Sequence, residues 1–254
     1  MADAVYRPVV VARDAQRELA RRARPAGEFD ASRYFRGSHD LGFYNIGTPV
    51  LRAMAKRIAR EHQGVWGVGE AMAFAEALVA NRYVDAKALG IEVLACYRRA
   101  FTPALLPAWK RWLAEGYASN WATTDAICGA LIGPLLVATP ALAGQMRAWS
   151  HHRVLWVRRA AAVSLIPAVR KGDQLALAYA VSATLHPDGE DLIQKAVGWL
   201  LREAGKADAP RLERYLRAEG PAIPRTTLRY AIERFPAGKR KALLRDTKKE
   251  KPRA

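Results

Sequence analysis

The sequence has two cysteines, Cys96 and Cys128, in 254 residues, too few for a disulfide scaffold or a thiolate zinc site. Histidine is almost as scarce. His39, His62, His151, His152 and His186 show neither HxxxH nor HExxH spacing, so no metal is implied. The pair His151-His152 reads as solvated surface, a helix cap or a phosphate contact. No run approaches the roughly 18 apolar residues that a membrane-spanning helix needs, and no polybasic block adjoins an apolar segment. The opening residues mix Asp3, Arg7, Arg13 and Asp14 with their apolar positions and lack a secretion-type core. A cytoplasmic protein without a membrane partner is expected.

Negative charge is the other shortage. Lys and Arg number 41 against 24 Asp and Glu, a formal net charge of +17. The imbalance is uneven: residues 1–150 hold 19 basic and 13 acidic groups, residues 151–254 hold 22 and 11. A chain that is 51% hydrophobic is not disordered throughout, so this is a folded cationic protein. Nucleic acid becomes the leading partner class, with the second half expected to supply most phosphate contacts. Ribosome-associated proteins and arginine-rich proteomes share such a composition.

What the chain does contain is helix after helix. Alanine, leucine and arginine dominate and period-2 alternation is rare, which predicts helices near 10–24, 48–62, 68–79, 82–99, 104–115, 119–131, 138–149, 154–169, 173–185, 189–204, 207–218, 223–235 and 237–244. Proline or glycine marks the breaks, as at Gly47-Thr48-Pro49, Gly133-Pro134 and Ala209-Pro210. Helix pairs recurring about every 35–40 residues suggest an all-α fold, an α-solenoid of HEAT-like repeats with a concave basic surface. A non-repeating helical bundle is the alternative. One domain over 1–245 and a disordered basic tail over 246–254 are expected.

Within this pattern some residues are poorly explained by packing. Trp121 and Asp125 stand four apart, about 40° on a helix wheel at roughly 100° per residue. Trp199 falls at the margin of an apolar face made by Leu192, Ile193, Ala196, Val197, Leu200 and Leu201, beside Lys195 and Arg202. Arg158 and Arg159 sit in a helix with little polar circumference, so at least one needs an anion nearby, either Asp125 or a bound phosphate. Taken alone, a Trp-x3-Asp pair is usually a packed ring beside a solvated or capping acid. Trp66, Trp109, Trp112, Trp149 and Trp156 are assigned to packing.

Three segments in order, Asn120-Trp121-Ala122-Thr123-Thr124-Asp125, Trp156-Val157-Arg158-Arg159-Ala160-Ala161 and Asp191 through Glu203, closely resemble the DNA alkylation repair glycosylases of the AlkD type. Arg33-Tyr34-Phe35-Arg36 and Asn45-Ile46-Gly47-Thr48-Pro49 resemble the opening repeat of that family, although a glycine is expected earlier in the second segment. The resemblance covers roughly residues 30–245. It implies a monofunctional enzyme that removes positively charged N3- and N7-alkylated purines from duplex DNA without flipping the base, using no cofactor and no metal. It places Trp121, Asp125 and Trp199 at the catalytic site and Arg159 on the DNA backbone, and it leaves Arg158 and Tyr34 without a fixed role.

The chemistry agrees with these residues. Alkylation makes the purine a cationic leaving group, and a carboxylate can stabilise the oxocarbenium-like sugar while orienting water. Indole faces attract cations. Lys195, Arg202, Arg225, Arg229 and Arg234 could line a phosphate track that Lys239, Arg240 and Lys241 extend. The expected partner is double-stranded DNA containing alkylated purines, met by a monomer associated with the nucleoid. The rivals are a non-catalytic HEAT-like protein binding branched or damaged DNA, a self-resistance glycosylase for bulky adducts, and a protein-interaction scaffold, for which +17 is an awkward charge.

Overall fold

Prolines set several of the helix starts. Pro49, Pro107 and Pro210 each occupy a first helical turn, where the missing N–H has no partner to lose. The computed structural model describes residues 7–27, 35 and 40–248, and among them the β features amount to one isolated bridge, Gly42 to Tyr83. The fold is all-α, as the sequence predicts. Tyr34 and residues 249–254 of the tail expected over 246–254 lie outside the described residues, whereas Asp246 ends a helix and Thr247 is buried, so the start of that tail is ordered. The chain divides into two compact units, Met1–Leu135 and Leu136–Ala254.

The first unit contains α1 (Pro8–Arg21), α2 (Thr48–Glu61), α3 (Val68–Val79), α4 (Val84–Ala95), α5 (Leu106–Ala114) and α6 (Trp121–Ile127). Alternate helices stack: α1 packs on α3, α2 on α4, and α4 on α6. Leu19, Leu51, Ile58, Phe74, Leu78, Leu89 and Val93 fill the core between these layers. A Cβ at Gly90 would lie 3.0 Å from the Ala75 carbonyl oxygen, so this glycine is what lets α3 and α4 close.

Two buried charges on α4 anchor the loops around this core. The Asp85 carboxylate accepts the backbone N–H groups of Tyr44 and Ile46, each at 2.8 Å, which fixes the segment entering α2. Between them Asn45 has φ 56, a left-handed conformation that asparagine tolerates better than most residues. The expected glycine is thus replaced by a residue able to hold a glycine-like backbone. Lys87 donates from Nζ to the carbonyls of Val79 at 2.6 Å and Tyr117 at 2.7 Å. It caps the end of α3 and holds the loop that launches α6.

The helix expected to end near residue 131 continues. After α6 comes a π turn, Cys128–Ile132, and then α7, Gly133–Ala138. The Gly133 N–H donates to the Cys128 carbonyl, five residues back. Pro134 explains the wide turn, because its ring would clash with the carbonyl four residues earlier and it has no N–H to donate. The continuous stretch Trp121–Ala138 has mean hydropathy 1.5 and passes by length and composition for a membrane span, contrary to the sequence expectation. Counting consecutive apolar residues missed it because Thr123, Thr124 and Asp125 interrupt the run. Half of the stretch is buried within the protein, which is also what a core helix shows.

The second unit holds α8 (Gln145–Ser150), α9 (Leu155–Val163), α10 (Ile166–Val169), α11 (Leu175–Leu185), α12 (Asp191–Ala207), α13 (Ala209–Glu219), α14 (Arg225–Ala231) and α15 (Ala237–Asp246). Here α9, α12 and α14 pack in succession, with α8 on α11 behind them. α12 and α14 approach closely at Gly198, where a Cβ would sit 2.8 Å from the Thr227 carbonyl oxygen. Thr227 in turn donates from Oγ1 to the Gln194 carbonyl at 2.9 Å. Trp66, Trp109, Trp112 and Trp149 are buried, as assigned from the sequence, while Trp156 is half-buried.

Candidate active site

In the first unit the site is built on one turn of α6. Asn120 precedes the helix in extended conformation, and its side-chain oxygen accepts the Thr123 N–H at 2.8 Å, an N-cap. Its amide donates to Thr123 Oγ1 at 2.9 Å, and Thr124 Oγ1 reaches back to the Ala118 carbonyl at 2.9 Å. Asn120, Thr123 and Thr124 are all buried. The polar residues of the motif therefore fix the helix start, and Trp121 and Asp125 are left half-exposed beside Ala122. Phe35 stacks on Trp121 with ring centroids 5.4 Å apart and planes 12° from parallel, and Phe43 lies 5.2 Å from Phe35. One indole face is thereby covered, so a ligand meets the ring from the other side or along its edge.

In the second unit α12 carries Lys195, Trp199 and Arg202. Ile193, Ala196, Val197, Leu200 and Leu201 are buried while Trp199 is half-exposed, so the ring sits at the margin that the wheel predicts. Lys195 pairs with Asp191 at 2.6 Å, and that hydrogen bond holds its ammonium above the ordinary lysine range. Arg202 bonds to Glu233 and lies 3.8 Å from Glu203. Glu203 is buried and accepts Arg170 at 3.0 Å and Lys206 at 2.8 Å. Burial alone would raise its carboxyl, but the hydrogen bonds from Lys206 and Arg170 outweigh that and hold it below the usual range. This carboxylate fastens α12 from within, and nothing local in the sequence shows it.

The two arginines of α9 are engaged in different ways. Arg158 donates from Nε to Asp188 at 2.7 Å and from Nη1 to the carbonyls of His152 and Arg153. Its anion is thus Asp188, from the turn before α12, and neither of the candidates weighed from composition. Arg159 is only 5% exposed and donates from Nη1 to the Leu192 carbonyl, which ties α9 to α12. Arg229 is exposed, with its Nε 3.3 Å from the Arg225 carbonyl. His152 accepts the Val154 N–H at 3.1 Å, within the turn that precedes α9.

Among the described residues no group of three or more His, Cys, Asp or Glu side chains could hold a metal ion. Cys96 is exposed and Cys128 buried. What the site offers is a carboxylate one turn from an indole edge, on a cationic protein, and this arrangement suits charge stabilisation at a centre that becomes positive.

The family model described as DNA alkylation repair enzyme matches residues 15–235. A solved structure described as a predicted DNA alkylation repair enzyme from Enterococcus faecalis superposes with a TM-score of 0.68 at 19% identity, covering 78% of this chain and 91% of that one. At that identity the likeness is one of fold. Among curated proteins no match is found.

Proposed function

The chain belongs to the DNA alkylation repair enzyme family, and from that premise we propose that it is a monofunctional DNA glycosylase that hydrolyses the N-glycosidic bond of cationic N3- and N7-alkylpurines in duplex DNA. The carrying observation is the cap at Asn120, which holds Trp121 and Asp125 half-exposed one turn apart. Every other polar group of that turn is engaged in shaping it.

In the proposed reaction the lesion itself supplies much of the activation, since an alkylated purine leaves as a neutral base. Positive charge then moves to the deoxyribose. Asp125 stabilises that charge and orients the attacking water, whose oxygen bonds to the anomeric carbon as the purine departs with the bonding electron pair, and the water's proton passes to Asp125 and on to solvent. Trp121 attracts the cationic purine or sugar by roughly 0.5–2 kcal/mol when desolvated, and a neutral base gains less. Trp199 and Arg159 take the roles of second ring and backbone contact on the strength of the motif resemblance. The buried position of Arg159 makes α9–α12 packing its second task. No base pocket is required if the base stays in the stack.

The test is release of N7-methylguanine and N3-methyladenine from methylated duplex DNA, followed by mass spectrometry. Asp125→Asn is expected to lose most base release while retaining duplex binding. Undiminished release by that variant removes Asp125 from the mechanism, and binding without release on every alkylated substrate makes the protein a non-catalytic DNA binder.

A further inference from the structure

The sequence places the larger charge excess in the second half, where Arg158, Lys195, Arg202 and Lys239 pair with carboxylates while, among the described residues, the exposed Arg229, Arg240 and Lys241 do not. The first unit offers cations arranged differently. On α2, Arg52, Lys56 and Arg60 recur at four-residue intervals and are all exposed, so they form one stripe along the helix. Arg57, on another side of α2, is tied to Glu18 and Glu61. Among the described residues Lys56, Arg60 and Arg98 have no carboxylate partner, and Arg52 has Glu92 at 3.1 Å with its own side chain 62% exposed. Lys56 and Arg98 both act electrostatically on the Cys96 thiol, which places them about the same end of α4.

This stripe borders a groove. Arg52 and Arg98 flank a cleft of about 400 Å³ whose floor is small: Ala88 and Ala95 from α4, Ala126, Gly129 and Ala130 from the helix that carries Asp125. A Cβ built at Gly129 meets nothing within 4 Å. The groove thus begins at Ala126, beside Asp125 in the chain, and runs on past Gly129 between Arg52 and Arg98.

Resting on the DNA reading above, we infer that the first unit carries its own phosphate track, in which Arg52, Lys56, Arg60 and Arg98 hold the phosphodiester backbone of duplex DNA along α2 and the small-residue groove admits that backbone beside Asp125. The shallow floor lets a strand approach the main chain closely, and the flanking guanidiniums present forked donors to phosphate oxygens. The exposed Arg52–Glu92 pair is worth about 0–1 kcal/mol, so exchanging Glu92 for a phosphate is easy. A polyanion running along the stripe thereby reaches the carboxylate.

The experiment measures affinity for a short unmodified duplex by fluorescence anisotropy across a salt series, using the full chain. Log affinity falls with log salt by about 0.9 per phosphate neutralised. The triple variant Lys56→Ala, Arg60→Ala, Arg98→Ala is expected to shallow that slope by about 2 to 3. A charge-matched triple on α1, in the other helix layer, Arg13→Ala, Arg17→Ala, Arg21→Ala, should leave it nearly unchanged. The charge-preserving pair Lys56→Arg with Arg98→Lys should retain the parent slope. If the parent binds the duplex but the α2 triple keeps its slope, or both triples shallow it equally, the track is overturned while the glycosylase reading stands. If the parent binds no duplex at any salt, both fall.

Discussion

Gly198 and Thr227 lie so close that a methyl group on the glycine would stand 2.8 Å from the threonine carbonyl oxygen, with Tyr230 crowding the same spot. The contact joins α12 to α14 directly beside Trp199. Gly198→Ala must push the helices apart or bend one of them, and overpacking of this kind typically costs about 1–3 kcal/mol. A fall in the denaturant midpoint with an unchanged m-value is the expected result. Equal stability would mean that the two helices are not packed as described.

Asn120 is buried with its amide and carbonyl both bonded to Thr123. Asn120→Ala removes the cap of α6, worth about 1 kcal/mol, with up to about 2 kcal/mol in buried settings. Base release should fall more than this loss of stability alone accounts for at a temperature where the variant is folded, because the turn that orients Trp121 and Asp125 frays. Asn120→Asp, which can still accept the Thr123 N–H, should recover part of both.

Arg158 and Asp188 form a largely shielded pair, with side chains 19% and 11% exposed. Removing one partner of such a pair leaves a poorly hydrated charge, and Asp188→Asn should destabilise the protein by about 2 kcal/mol, below the 3–5 kcal/mol of a fully buried pair. A double-mutant cycle with Arg158→Met measures the coupling. Because Arg158 is occupied inside the unit, the salt slope of DNA binding should hardly change on its replacement. A slope shallower by about 1 would return it to the DNA surface.

Burial lowers the Lys87 ammonium to about 8 from its usual 10.5. Between those values the unfolded chain binds the proton more readily than the folded one, so the Lys87 contribution makes stability rise with pH across that window. The effect is on the order of 3 kcal/mol in total. Lys87→Met lacks this titration. The stability difference between parent and variant should therefore shift in favour of the parent from pH 8 to about 10.5, and a difference that stays flat over that range would show the amine to be hydrated.

Trp121→Phe keeps an aromatic surface for Phe35 to stack on but weakens attraction for cations, since indole is the strongest of the three rings. Loss of about 1 kcal/mol corresponds to roughly fivefold in kcat/KM on a cationic purine. Smaller change is expected for binding to undamaged duplex. Equal losses on both would assign Trp121 to packing.

Much of the helical skeleton was readable along the chain because it depends on local periodicity and on proline in first turns. α2, α3 and α11 fall close to their predicted limits. What the sequence hid depends on distant partners. Asp188 lies thirty residues from Arg158, Phe35 reaches Trp121 across most of the first unit, and Glu203 gathers its cations from two helical segments. Asn45 hid for another reason, since only its backbone angle shows that it stands in a glycine-like conformation. The motif residues themselves were legible, but the division of labour within them was not. Asn120, Thr123 and Thr124 build the turn, and Trp121 and Asp125 remain half-exposed.

The π turn before Pro134 gives a helix two characters. Upstream of it Trp121, Ala122, Asp125 and Ala126 form a partly exposed ribbon, whereas Leu135 and Leu136 beyond it are enclosed. One extra residue in the coil rotates everything downstream by about 100°, which turns that ribbon inward at the point where chemistry no longer needs it. Deleting a single residue there would restore regular winding and swing leucines into water, so chain length between Asp125 and Pro134 is as strictly specified as the identity of either residue.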